Sequence, residues 1–138
     1  MVSSEIRYKG AQSLLKKVGE EGCYVLCLLS IAEEVTGKPI DLIGALHTLI
    51  KDRCVEEEDM YVLDAEKALY ILTGRRAHRE IRKDLGKVKD NEYTVAKYYN
   101  KRTGLTHFKR RGYDTLTRSV TATEGELQFY YVFEIEGK

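Results

Sequence analysis

Cys23 follows Gly22 directly and opens the stretch CYVLCLLSIAEEV, which is almost wholly apolar up to Glu33. A thiol on the first turn of a helix feels the positive end of the helix dipole, which favours thiolate. The preceding glycine lets a substrate or another backbone come close. Those are the conditions for a nucleophile that attacks an acyl carbon. The same placement also suits a small buried hydrophobe at a helix start. His107 stands in Leu105-Thr106-His107-Phe108, within a strand-like run. A strand holds an imidazole rigidly, as a general base for a thiol requires; a half-buried sheet histidine is the plainer reading. A cysteine and a histidine far apart in sequence can still meet in the fold. Asp114, the nearest acidic residue after His107, is placed to orient the ring, or to sit exposed in a turn. His47 and His78 have no special setting and are read as structural.

Cys27 lies one helical turn after Cys23. Two thiolates at that spacing can share a metal, but a complete site needs two further ligands. No Cys-x-x-Cys or His-x-x-His stands nearby. Cys27 therefore reads as core packing, Cys54 as packing or a loop thiol, and neither metal nor cofactor is expected. Three cysteines, an odd number, also argue against a disulfide framework.

The elements that would position these groups are legible in the apolar spacing. Ala11, Leu14, Leu15 and Val18 form one stripe of a helix over 8–18. The run from Cys23 is hydrophobic all round, as a central buried helix is, and Gly37 stops it. Asp41 is expected to cap a helix over 42–52, and Asp64 one over 65–73 that Gly74 closes. The pattern then turns to strands: 92–99 and 104–110 joined by the turn NKRTG, a β-rich run over 113–121, and the alternating 126–135. In the last, Leu127, Phe129, Tyr131, Phe133 and Ile135 share the core face. Helices first and an antiparallel meander afterwards make an α+β domain. With 138 residues, a single proline and no repeat or linker, the chain reads as one domain spanning 1–138.

The formal net charge of +1 hides a division. Residues 75–111 carry 13 Lys/Arg against 4 Asp/Glu, whereas 1–74 carry 8 against 13. Arg75, Arg76, Arg79, Lys109, Arg110 and Arg111 are candidates for a face that contacts phosphate or an acidic partner, and Tyr93, Tyr98 and Tyr99 stand near enough to stack on bases. A solvated face with scattered tyrosines is the alternative. No segment is long and apolar enough for a membrane helix, and the first residues hold no apolar leader, so a cytoplasmic protein is expected.

Gly22-Cys23, an apolar helix ending in Thr36-Gly37-Lys38, further helices, Thr106-His107-Phe108 and a Tyr113-Asp114 step together resemble the papain-like cysteine peptidase superfamily. The layout is nearest to the bacteriocin-processing (double-glycine) peptidase-like families, and is also similar to uncharacterised proteins of spirochaete plasmids and phages. The resemblance implies a papain-like fold with Cys23 as nucleophile, His107 as base, Asp114 as orienting acid and Gln12 as oxyanion donor. It implies a peptide or peptidoglycan-like amide as substrate. Tyr24 departs from the glycine or tryptophan often found after the cysteine, and Lys109-Arg110-Arg111 departs from a mostly apolar histidine strand. An inert papain-like binding module, of the kind a phage or plasmid inhibitor would be, is the alternative; its partner would be an acidic protein or nucleic acid.

Overall fold

The computed structural model describes residues 22–110 and 125–137. The expected helix over 8–18, the expected strand over 113–121, and Gln12, Arg111 and Asp114 lie outside them. Among the described residues the chain forms three helices and then a four-stranded antiparallel sheet, an α+β arrangement.

Helix α1 spans Cys23–Thr36. Its apolar composition is explained by its place: Val25, Cys27, Leu28, Ile31 and Ala32 are fully buried. Gly37 ends it in the left-handed region at φ 70°, its N–H bonded to the Glu33 carbonyl. Helix α2 spans Leu42–Lys51 and buries Leu46 and Leu49. Asp41 precedes it without the expected side-chain cap; only its carbonyl is used, accepting the Ala45 N–H at 2.8 Å. Helix α3 spans Ala65–Thr73 and is capped as expected, with Asp64 Oδ1 accepting the Lys67 N–H at 3.0 Å.

Between α2 and α3 the chain makes a tight loop closed by a bridge from Val55 to Val62. Met60, with φ 57°, turns its side chain into the core at 2% exposure. Tyr61 and Leu63 are left on the surface at 64% and 50%. One inward side chain thus anchors a loop whose neighbours face solvent.

The strands are β1 (Ala77–Arg82), β2 (Glu92–Asn100), β3 (Leu105–Lys109) and β4 (Glu126–Ile135). Their order across the sheet is β1-β4-β2-β3. The expected meander is therefore corrected: the last strand inserts between β1 and β2. Strand β1 falls in a stretch the sequence marks only as basic, because charge masks the alternation Ala77-Arg79-Ile81. Strand β4 buries Val132, Phe133 and Ile135 towards its end, whereas Leu127, expected on the core face, is 42% exposed at its start. Phe133 and Ile135 pack with Ala77, Val95 and the buried faces of α1 and α3 in one core. The turn between β2 and β3 is the expected one: Asn100 Oδ1 accepts the Arg102 N–H at 2.9 Å, and Gly104 takes φ 71°.

Candidate functional site: the start of α1 against β3 and the adjoining cleft

The first turn of α1 lies beside β3, the outermost strand on its side of the sheet. Cys23 is the first helical residue, after Gly22, whose carbonyl accepts the Leu26 N–H at 2.9 Å. The Cys23 sulfur is half-buried, and desolvation pushes its pKa above the ordinary thiol value of 9.0. Hydrogen bonding from the Phe108 backbone pulls in the opposite direction, as does that from the backbone of Cys23 and Tyr24. Burial is the larger effect, so the resting group is a thiol and not a thiolate. The Cys27 thiol is driven up further, chiefly by its complete burial. That agrees with packing, and among the described residues no cluster of ligating side chains could hold a metal ion.

His107 pairs with Tyr98 in the β2–β3 ladder and is buried at 6% exposure. The residue after it, Phe108, is the one whose backbone meets the Cys23 sulfur. Strand β3, which carries His107, is thus brought beside the first turn of α1, which begins at Cys23. The other sequence-derived members of the site, Gln12 and Asp114, lie outside the described residues.

Successive strand residues point to opposite faces. Phe108 therefore turns away from the His107 side and stacks on Tyr24, with ring centroids 4.5 Å apart and planes 15° from parallel. Tyr24 in turn lies 5.3 Å from Tyr131, at 8°. Arg79 of β1 places its guanidinium 4.6 Å from the Tyr131 centroid and donates to the Tyr24 hydroxyl at 3.3 Å. Lys97 of β2 holds its ammonium 5.1 Å from the Phe129 ring and 5.9 Å from Phe108. These are cation–π distances. Burial pushes the Tyr24 hydroxyl's pKa well up, so it stays protonated, while the Arg79 hydrogen bond resists the shift. The rings and cations wall a cleft of about 330 Å³, whose opposite rim is the loop from Asp59 to Leu63.

Among the described residues the expected basic face does not form as one surface. Arg79 lines the cleft. Arg110 is 4% exposed and binds α1 instead, donating to Ser30 Oγ at 2.9 Å and to Glu34 Oε2 at 2.6 Å. Its assignment as a phosphate contact is corrected on that ground: its charge is already matched inside the fold. Lys109 is half-buried on β3. Arg75 and Arg76 border a separate depression beside Lys38, Tyr70 and Glu136. Arg111 lies outside the described residues.

Sequence reasoning missed the cleft. Tyr24 stood out only as a departure from a pattern, Lys97 only as one member of a charge run, and Tyr131 only as a core position. The available signal was the alternation itself. Arg79 and Lys97 occupy the same face as Ala77, Val95 and Phe133, and a cation in an apolar alternation needs a polar or aromatic neighbour. Among the described residues no helix is long and apolar enough to cross a membrane. No family model, curated protein or solved structure matches the chain.

Proposed function

We propose that this chain is a papain-like thiol hydrolase that cleaves a peptide or peptidoglycan-like amide with Cys23 and His107. The reading rests on one observation: the strand carrying His107 passes beside the first turn of α1, with Phe108 stacked on Tyr24, the residue after Cys23, at 4.5 Å. In this scheme His107 accepts the thiol proton as Sγ bonds to the acyl carbon. The carbonyl oxygen takes the negative charge and is stabilised by the Cys23 backbone N–H at the helix start. The imidazolium then protonates the leaving amine as the C–N bond breaks. Water, deprotonated by His107, attacks the thioester, and the proton returns to the thiol as the C–S bond breaks.

The raised Cys23 pKa gives the histidine a definite task. A thiol that burial keeps protonated near neutral pH needs a base at the moment of attack. The same burial favours a second reading, in which the papain-like frame is kept only for binding. Timed iodoacetamide labelling near pH 7 with mapping of the modified cysteine separates them. The hydrolase reading expects Cys23 to label faster than Cys27 and Cys54 in the native protein, and expects His107→Ala to remove that advantage. Slow labelling of Cys23 that His107→Ala leaves unchanged overturns catalysis and leaves the binding frame.

A further inference from the structure

Tyr24, which follows Cys23 on α1, and Phe108, which follows His107 on β3, both line the cleft. A molecule seated there lies beside the first turn of α1, on the face of β3 opposite the His107 side chain. Its floor is aromatic, but the rings are largely engaged with one another and with the two cations, which leaves little ring face for a flat base to enter. What remains on offer is positive charge. Arg79 and Lys97 come from strands on either side of β4 and flank Tyr131, and neither forms an ion pair among the described residues.

Two carboxylates stand nearby, and neither forms an ion pair with Arg79 or Lys97, although Glu66 is close enough to act on the Arg79 charge and Asp59 lines the cleft. Glu66 of α3 accepts the Arg79 backbone N–H at 3.0 Å, and Asp59 on the rim accepts the Tyr61 N–H at 3.0 Å. The rim also carries Leu63 and Tyr61, large side chains left half or more exposed. Two cations that form no ion pair among the described residues, facing an exposed apolar rim, describe a site for an anion attached to an apolar neighbour. A carboxylate held by two cationic donors forms short, charge-assisted hydrogen bonds.

We propose that this cleft binds the side-chain carboxylate of a Glu or Asp in an extended peptide, with an adjacent apolar residue against Tyr61 and Leu63. As a statement about substrate it rests on the hydrolase reading above; as a binding site it does not.

The probe is a pentapeptide, acetylated and amidated at its ends, of sequence Ala-Leu-Glu-Leu-Ala, beside its Gln counterpart. Calorimetric titration into Cys23→Ala protein measures binding without turnover. The Glu peptide is expected to bind at least about tenfold more tightly than the Gln peptide. Lys97→Met and Arg79→Met should each remove most of that preference, whereas Lys51→Met on α2 should not. Lys97→Glu should transfer the preference to a peptide with Lys in the central position, which also controls for misfolding. Equal affinity for the Glu and Gln peptides, absence of binding, or an equal loss with Lys51→Met overturns the proposal. So does tighter binding of oligothymidylate that depends on Arg79 and Lys97, which would make the cleft a nucleic-acid site. Turnover by the unsubstituted protein keeps the two readings apart. Tight, Glu-selective binding without cleavage counts against the hydrolase alone, and cleavage of both peptides at the same kcat/KM counts against the cleft alone.

Discussion

Arg79 and Arg110 belong to the same basic stretch of sequence and end in opposite surroundings. Arg110, just past the end of β3, is buried and held by Ser30 and Glu34 of α1, with its guanidinium 6.0 Å from the Tyr93 ring. Arg79, in the middle of β1, remains largely open to solvent beside aromatic rings. The first closes the sheet onto the central helix. The second is a charge on a cleft wall with no carboxylate bound to it among the described residues. A local excess of positive charge is therefore two populations: one neutralised by the fold, and one left exposed at the wall of the cleft.

The largest test of this division is Arg110→Ala. Removing the guanidinium leaves a Glu34 carboxylate that water already reaches, at 36% exposure, but it strips the Ser30 and Glu34 bonds from the sheet–helix contact and opens a gap where the buried arginine packed. The expected loss is about 2–3 kcal/mol. Urea denaturation reads it directly. A loss below about 0.5 kcal/mol, the scale of an exposed pair, would place Arg110 with Arg79 and erase the distinction.

Glu34→Gln sharpens the same point with a smaller change. The amide can still accept from the guanidinium, so the expected cost is about 1–2 kcal/mol. Combined with Arg110→Ala, it should cost less than the sum of the separate effects, since each substitution removes the same interaction. Strict additivity in the double-substitution cycle would mean that the 2.6 Å contact contributes nothing of its own.

How much of this was open to reading from sequence follows the same line. The helix starting at Cys23, its stop at Gly37, the cap at Asp64, the β2–β3 turn and the core-facing Phe133 and Ile135 of β4 were all legible, because each is written in local spacing or in a residue with a special backbone role. The position of β4 between β1 and β2 was not, because strand order depends on long-range pairing that alternation does not encode. Strand β1 was hidden because four of its six residues are charged or histidine. For the candidate site, the types of Cys23 and His107 were visible, while the sign of the Cys23 shift was not. A helix start argues for thiolate, and only the depth of burial decides that desolvation outweighs it. The cleft was illegible for a related reason. Tyr24, Phe108 and Tyr131 come from three separate elements, and nothing in their sequence positions requires their rings to lie nearly parallel.

Arg82 occupies the middle ground between the two arginines. It bridges Glu80 at 2.9 Å and the buried Glu92 at 2.7 Å. Glu92 also accepts the Lys89 backbone N–H at 2.8 Å, and that bond first, with Arg82 behind it, holds its carboxyl below the ordinary value of 4.5. A folded-state pKa below the unfolded one gives stability that is fully present above the unfolded value and is lost as pH falls through the folded one. Unfolding measured from pH 7 down to pH 3 should therefore show a component that Glu92→Gln removes, together with a loss of about 1 kcal/mol at neutral pH. A Glu92→Gln profile parallel to that of the parent protein across this range would show that the carboxylate's partners are solvent-like.

The smallest expected effect on stability belongs to Arg79, and that smallness is the point. Its guanidinium loses one exposed hydrogen bond and one ring contact on truncation, so Arg79→Ala should cost at most about 1 kcal/mol in urea. The two neighbouring rings, Tyr24 and Tyr131, keep their mutual stacking, and the Tyr24 hydroxyl stays protonated because burial, not Arg79, dominates its titration. A small loss would mark Arg79 as a residue the fold does not depend on, and Arg110→Ala supplies the opposite case in the same assay. If Arg79→Ala instead unfolds the protein as readily as Arg110→Ala does, the guanidinium is a structural clamp between β1 and α1. The positive wall of the cleft would then be Lys97 alone.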